Sequence, residues 1–140
     1  MKIIFNEDGL PTGLTKTGQQ IGVLCVDDSK FILKQLSQIF ISREFKVVDT
    51  ALNGAEALIK YKENQDNIHL ITLDITMPEM DGLTALKKLK ELNPEVNVIM
   101  VTALGTAETV KEAIKLGAKG YIVKPLDRGK VLERIGKIFG

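Results

Sequence analysis

The most informative segment of the chain is IHLITLDITMPEMDG, which spans residues 68–82. It begins as an apolar run of strand length that ends at Asp74, and it continues through a proline-containing loop to Asp81 and a glycine. Asp81 has the position of a helix N-cap, because the leucines that follow it recur at helical spacing. The segment therefore predicts a buried strand, a loop and a helix in direct succession.

The same alternation recurs along the chain from residue 21. Apolar runs of strand length lie at residues 21–26, 45–51, 68–74, 96–102 and 119–124, and an amphipathic segment follows each of them. Three of these runs are almost continuously apolar, as expected for strands buried on both faces, whereas the more polar run at 45–51 suits an edge. Five strand–helix units predict an α/β fold, a doubly wound five-stranded parallel sheet with helices on both faces.

Composition limits the classes of function. The chain has 140 residues and a net charge of +1, which fits one domain and gives no bulk positive charge for nucleic-acid binding. No apolar run is long enough for a membrane helix or a signal peptide. A single cysteine and a single histidine exclude an internal disulfide and a zinc site built on these residues. We expect a soluble cytoplasmic protein that neither binds nucleic acid nor inserts into membranes.

Residues 1–20 differ from the rest of the chain. They are rich in glycine, threonine and turn residues and show no sustained period, so we treat them as an N-terminal extension to a domain of residues 21–140. One interpretation is a mobile tail. The other is a short strand or hairpin in which Ile3, Ile4 and Phe5 pack against the domain, and the sequence leaves both open.

Polar side chains stand where the predicted strands end. The first strand ends at Asp27 and Asp28, the third at Asp74, the fourth at Thr102 and the fifth at Lys124. In open parallel sheets the functional site lies outside these carboxyl ends. Singly, each residue could cap a helix or form a turn, but the joint arrangement favours a site.

Three carboxylates in one crevice repel each other unless a cation compensates, and Mg²⁺ prefers oxygen ligands. We expect Asp28 and Asp74 to bind Mg²⁺ directly and Asp27 to act through water, with the backbone carbonyl of Thr76 within reach of the ion. Mg²⁺, a lysine and a hydroxyl together suit a phosphoryl group. Because nucleotide-binding glycine loops are absent, we expect a different donor, with Asp74 as the covalent acceptor.

At these residues the sequence resembles the receiver domains of two-component response regulators, specifically the stand-alone CheY-like type. The resemblance covers residues 21–140 and rests on four motifs: VDDS at 26–29, DITMPEMDG at 74–82, VTA at 101–103 and YIVKP at 121–125. It implies the strand order 2-1-3-4-5, which is the order recorded for CheY itself. It also implies that Asp74 is the phosphoacceptor and that Asp27 and Asp28 are the acidic pair for Mg²⁺.

The remaining motif residues receive roles by the same resemblance. Thr102 resembles the switch hydroxyl that moves toward the phosphoryl group, and Lys124 the lysine that binds it, with a cis peptide bond before Pro125. Tyr121 matches the aromatic switch position, and the small Ala103 leaves room for the movement. Activation is then expected to remodel the face formed by the fourth helix, the fifth strand and the fifth helix.

Two further positions match residues that tune the lifetime of the phosphorylated state in this family. These are Thr76 and Leu104, each two residues beyond a site residue. Leu104 is apolar and is expected to shield the acyl phosphate from water, which predicts slow dephosphorylation.

The function implied is a phosphorylation-activated messenger, a monomer that signals to a separate partner and catalyses only its own phosphorylation and dephosphorylation. A CheA-type histidine kinase would be the donor and the flagellar motor switch the target, with a phosphatase as a further partner. One alternative is a phosphorelay carrier that passes the group to a histidine phosphotransfer domain. An aspartate-nucleophile phosphatase is disfavoured, because Thr76 occupies the position where that class needs a second aspartate.

Overall fold

A five-stranded parallel sheet forms the centre of the computed structural model, which describes residues 1–140. The chain has seven strands, of which the first two form a separate hairpin and the last five form the central sheet. They are β1 (Ile3–Phe5), β2 (Pro11–Thr15), β3 (Gly22–Val26), β4 (Lys46–Ala51), β5 (Leu70–Leu73), β6 (Asn97–Thr102) and β7 (Gly120–Val123). The central sheet has the order β4-β3-β5-β6-β7, so the predicted fold and strand order are confirmed. The most polar strand, β4, lies at an edge, as its sequence indicated.

Five α-helices cover the two faces of this sheet. They are α1 (Lys30–Ser42), α2 (Gly54–Glu63), α3 (Gly82–Leu92), α4 (Ala107–Lys115) and α5 (Arg128–Phe139), and a short 3₁₀ turn spans Gln65–Asn67. Each begins after a residue whose side chain accepts a backbone N–H of the first turn, namely Ser29, Asn53, Asp81, Thr106 and Asp127. Such caps pair N–H groups that have no partner within the helix. None of the helices combines the length and apolar character that a membrane crossing requires.

The hydrophobic core has two halves, one on each face of the sheet. Buried side chains of α2, α3 and α4 pack on one face, and those of α1 and α5 pack on the other. Alternate residues of the interior strand β3 supply both halves: Leu24 and Val26 face the first, and Val23 and Cys25 face the second. A strand buried on both sides explains why this run is continuously apolar.

Residues 3–15 form an antiparallel hairpin of β1 and β2, which is the second of the two interpretations left open by the sequence. Of the three apolar residues expected to pack against the domain, Ile3 is buried in the α1/α5 half of the core, whereas Ile4 and Phe5 are each 41% exposed. Arg43, which caps the end of α1, donates from Nε to the Pro11 carbonyl at 3.0 Å and from Nη2 to the Leu10 carbonyl at 2.8 Å. It also pairs with Asp8 at 3.2 Å, so the hairpin is fixed at the amino end of the sheet.

Candidate functional site

Three carboxylates meet at the carboxyl end of the central sheet. Asp27 and Asp28 follow β3, and Asp74 follows the neighbouring strand β5. One carboxylate oxygen from each lies within 4.8 Å of the other two. Asp27 and Asp74 are buried and Asp28 is exposed, so a small cation could reach all three from the open side.

Lys124, which follows the edge strand β7, also contacts this cluster. Its Nζ donates to Oδ2 of Asp27 at 2.8 Å and to Oδ2 of Asp74 at 3.3 Å. The side chain follows the edge strand β7 and so extends past the end of β6. The peptide bond between Lys124 and Pro125 is cis. One ammonium among three carboxylates leaves the cluster with a net charge of −2.

Burial is the main influence on the pKa of Asp27. Burial raises the pKa of its carboxyl above the ordinary value, against the hydrogen bonds from Lys124 and the Ser29 amide, and the Asp74 carboxylate adds to the rise. Burial lowers the pKa of Lys124, but its hydrogen bond to Asp27 and the charges of both carboxylates outweigh that effect and raise the pKa. The lysine therefore stays charged, while the carboxylates are only partly compensated.

The loop after Asp74 folds back on its own start. Oδ1 of Asp74 accepts the Ile75 amide at 2.8 Å, and the Gly82 amide donates to the Ile75 carbonyl at 2.8 Å. A Cβ on Gly82 would lie 2.0 Å from the Asp74 carbonyl oxygen, so this closure needs glycine. Thr76 is exposed within the loop, and no hydrogen-bond donor in the structure pairs with its carbonyl.

A second set of contacts links the ends of β6 and β7. Thr102 is buried at the end of β6, and its hydroxyl accepts the Leu104 amide at 3.3 Å. The hydroxyl of the half-buried Tyr121 donates to the Leu104 carbonyl. Burial raises the pKa of Tyr121, and the Asp74 carboxylate adds to that rise. The backbone of Leu104 therefore connects the two residues that the resemblance identified as a switch pair.

The structure separates the predicted site residues into two groups. Asp27, Asp28, Asp74 and Lys124 form one cluster of charged side chains. The second group surrounds it: Thr102 ends the strand between β5 and β7, Tyr121 lies on β7, and Thr76, Ala103 and Leu104 are exposed in the adjacent loops. The sequence did not indicate the link through the Leu104 backbone, because a hydrogen bond to a main-chain carbonyl has no side-chain signature.

Comparison with known proteins agrees with this geometry. The model of the response regulator receiver domain matches residues 23–136. A chemotaxis protein CheY of Treponema pallidum is 50% identical over 131 residues, which are 94% of this chain and 91% of the relative. A chemotaxis protein CheY of Bacillus subtilis is 46% identical over 115 residues, 82% of this chain and 94% of the relative.

A solved structure is similar over nearly the whole chain. The crystal structure of the CheX-CheY-BeF3-Mg+2 complex from Borrelia burgdorferi contains a chain with a TM-score of 0.89 and 51% identity, covering 91% of this chain and 96% of that one. The family matched by sequence, the fold and the cluster of acids at the strand ends all agree. The chain belongs to the response regulator receiver domain family.

Proposed function

We propose that this protein accepts a phosphoryl group on Asp74 from a CheA-type histidine kinase in the presence of Mg²⁺ and carries the signal to the flagellar motor switch. The observation that carries the proposal is the cluster itself. A buried carboxylate that lies 3.3 Å from an ammonium and close to two further carboxylates is an acceptor with a cation site beside it.

The donor set fits Mg²⁺. It consists of carboxylate oxygens and the unpaired carbonyl of Thr76, two residues beyond Asp74, and the net charge of −2 on the cluster equals the charge that a divalent cation compensates. Asp28, Asp74 and the carbonyl of Thr76 would hold the ion, with Asp27 acting through water. The bound ion would neutralise charge on the phosphoryl oxygens.

In the transfer, one oxygen of the Asp74 carboxylate forms a bond to phosphorus. The bond between phosphorus and the donor's imidazole nitrogen breaks, and the imidazole leaves with the electron pair and takes up a proton. Lys124 would bind a phosphoryl oxygen, and the 3.3 Å between its Nζ and Oδ2 of Asp74 supports this role. Thr102 would supply a hydroxyl from the adjacent strand end, so that catalysis consists of positioning and charge neutralisation.

The signal would leave through the face formed by α4, β7 and α5. Movement of Thr102 toward the phosphoryl group would change its contact with Leu104 and, through that backbone, the position of Tyr121. This face exposes apolar side chains, since Ile114 and Val123 are each 49% accessible. The CheY relatives are chemotaxis proteins, and a similar CheY chain was solved together with CheX, BeF3 and Mg²⁺, which supports a partner that depends on phosphorylation.

Phosphorylation is tested first. Purified protein is incubated with phosphoramidate and Mg²⁺, and the mass gain of one phosphoryl group is followed by mass spectrometry. We expect modification of the wild type, none in Asp74→Asn, and strong reduction when Mg²⁺ is chelated. Asp66→Asn is the matched control, since this exposed aspartate lies in the 3₁₀ turn away from the cluster. Equal modification of Asp74→Asn and the wild type would contradict the proposal.

The partner is tested by comparing three immobilised proteins: wild type with beryllofluoride and Mg²⁺, untreated wild type, and Asp74→Asn with both reagents. Beryllofluoride stands in for the phosphoryl group on Asp74. We expect a purified flagellar motor-switch protein to bind only to the first. If a histidine phosphotransfer domain binds selectively instead, the phosphorelay function replaces the messenger function, and equal binding to all three contradicts the proposed switch.

A further inference from the structure

The first residue of α2, Gly54, contacts the loop that follows Asp74. Its amide donates to the Met80 carbonyl at 3.2 Å. A Cβ at this position would lie 2.8 Å from that carbonyl oxygen and 2.9 Å from the Cβ of Ala85 in α3. Since the first of these atoms is backbone and the second is fixed on a helix, no small side-chain rotation could make room. The contact between α2 and the loop therefore depends on glycine.

The short connection that leads from β4 to Gly54 also contacts the backbone of the acid cluster. The carbonyl of Ala51, at the end of β4, accepts the Asp27 amide at 3.0 Å. The short connection from Ala51 to Gly54 is therefore bonded at one end to the backbone of Asp27 and at the other end to Met80. It connects the two segments that carry the proposed oxygen ligands.

The loop from Ile75 to Asp81 needs such an external contact. Glu79 has φ +67°, in the left-handed region that costs a residue with a side chain free energy. The Met80 amide donates back to the Pro78 carbonyl at 2.7 Å, which makes a tight turn around this residue. A strained backbone persists only where its surroundings determine its shape. The bond from Gly54 to the Met80 carbonyl holds the far side of this turn.

We infer that Gly54 is a positioning residue for the proposed Mg²⁺ site. By holding the Met80 carbonyl, it fixes the loop that presents the Thr76 carbonyl and follows Asp74. This inference rests on the proposed function and adds to it a residue on α2 that contacts neither the cation nor the phosphoryl group. Groups that orient ligands from outside the coordination sphere commonly change metal affinity by about 10–100-fold when they are replaced.

Gly54→Ala tests the inference, because it introduces a Cβ into the contact with Met80 while it leaves every proposed ligand of the cation unchanged. Alanine is the better helix former, so without the contact to Met80 the substitution would be neutral or stabilising. Gly129→Ala is the matched control, since Gly129 lies in the first turn of α5 and its Cβ would meet only a side-chain oxygen of Asp127 at an ordinary 3.4 Å. Mg²⁺ affinity of each full-length protein is measured by calorimetric titration.

We expect Gly54→Ala to bind Mg²⁺ about tenfold more weakly than the wild type and Gly129→Ala to bind it equally. The phosphorylation rate of Gly54→Ala with phosphoramidate should recover when Mg²⁺ is raised to saturation. Ile135→Val, which is buried in the α1/α5 half of the core, controls for general loss of stability. Unchanged affinity in Gly54→Ala, or an equal loss in Ile135→Val, would overturn the inference.

Hydrogen exchange of the wild type gives a test that does not depend on the folding of a variant. Exchange of the Gly54 amide should slow when Mg²⁺ is added, because the loop that accepts it becomes more ordered. The Glu56 amide in the same turn, which donates to the Asn53 side chain at 2.8 Å, should not change. Equal responses of the two amides would overturn the inference alone, whereas a wild type that binds no Mg²⁺ would overturn the proposed function with it.

Discussion

At each end of the central sheet, one long cationic side chain binds several oxygen atoms, but the two clusters differ in net charge. At the amino end, Arg43 donates to the carbonyls of Leu10 and Pro11 and pairs with a single carboxylate, Asp8. At the carboxyl end, Lys124 lies among three carboxylates and contacts two of them. The amino-end cluster is neutral, whereas the carboxyl-end cluster keeps a net charge of −2.

This difference separates a cluster that stabilises the fold from one that is prepared for a ligand. A buried polar network in which every group is paired contributes to stability, and one with uncompensated charge reduces it until another charge arrives. The amino-end cluster has its partners within the chain. The carboxyl-end cluster needs a divalent cation from solution, as expected for a site where burial and like charges shift a pKa.

Arg43→Met should produce the largest loss of stability, because it breaks the amino-end cluster while keeping an apolar stem. The charge-assisted hydrogen bonds to the Leu10 and Pro11 carbonyls disappear, although Leu10 keeps the Asn6 amide as a donor, and this loss costs about 2–4 kcal/mol of the free energy of unfolding. Urea denaturation followed by circular dichroism measures the change. Asp8→Asn should cost much less, since the bonds to the two carbonyls remain and Asp8 is exposed. Equal midpoints for Arg43→Met and the wild type would show that the hairpin is held by apolar packing alone.

Asp27→Asn, at the carboxyl end of the sheet, should increase the free energy of unfolding, whereas Arg43→Met decreases it. Because the net effect of its surroundings raises the pKa of Asp27, its charged form is disfavoured in the fold, and a neutral side chain is expected to increase the free energy of unfolding in Mg²⁺-free buffer. The same substitution should reduce the additional stabilisation that Mg²⁺ gives the wild type. Urea denaturation with and without Mg²⁺ measures both effects, with Asp66→Asn as the neutral control. A loss of stability in Mg²⁺-free buffer would mean that the bond to Lys124 outweighs the burial of the charge.

The cluster at the carboxyl end of the sheet could be predicted from the sequence, because simple rules connect the apolar pattern of the chain to the fold. Apolar periodicity gave the five parallel strands, and parallel strands bring their carboxyl ends together. Residues at the end of each run, such as Asp27, Asp74 and Lys124, were therefore expected to meet before any contact was known. The five parallel strands and the clustering followed from the pattern of side chains, whereas the strand order was implied by the family resemblance.

The amino end could not be predicted in this way. Arg43 lies more than 30 positions from Asp8, Leu10 and Pro11, and two of these partners contribute backbone carbonyls that carry no side-chain signal. Gly54 presents the same difficulty. Asn53 and Glu56 have the spacing of a capping box, which predicts a helix that starts at Gly54, but the contact of Gly54 with the Met80 carbonyl depends on how α2 and α3 pack. Long-range contacts with the backbone come from tertiary packing.

A smaller effect on stability is expected at two residues that have the same strained backbone conformation. Glu44, after α1, and Glu79, after β5, both have φ +67°. Glycine relieves this conformation but gives the unfolded chain more freedom, so each substitution should stabilise by about 0.5 kcal/mol. We expect Glu44→Gly to leave Mg²⁺ affinity unchanged and Glu79→Gly to weaken it, because only the second lies in the loop of the proposed site. Thermal unfolding and Mg²⁺ titration check both, and equal Mg²⁺ affinities would contradict a role for loop rigidity.

The smallest expected effect is on the pH dependence of the free energy of unfolding, to which the two ends of the sheet contribute with opposite signs. At the amino end, Nδ1 of His69 accepts the Gly22 amide at 2.9 Å, and burial lowers the pKa of the imidazole. The unfolded chain therefore binds the proton more readily than the folded one. The stability that His69 contributes is complete above the ordinary histidine pKa of about 6.5 and decreases as the pH falls toward the lower folded value. In His69→Gln this part of the pH dependence should disappear.

At the carboxyl end, burial raises the pKa of Asp27, so the folded protein binds that proton more readily and gains stability as the pH falls through the raised pKa. Urea midpoints of the wild type, His69→Gln and Asp27→Asn, measured in Mg²⁺-free buffer across the acidic range, separate the two contributions, because each variant removes one of the two groups. Relative to the wild type, His69→Gln should lose less stability on acidification and Asp27→Asn should lose more. Differences of the same sign would mean that the two ends are not electrostatically distinct.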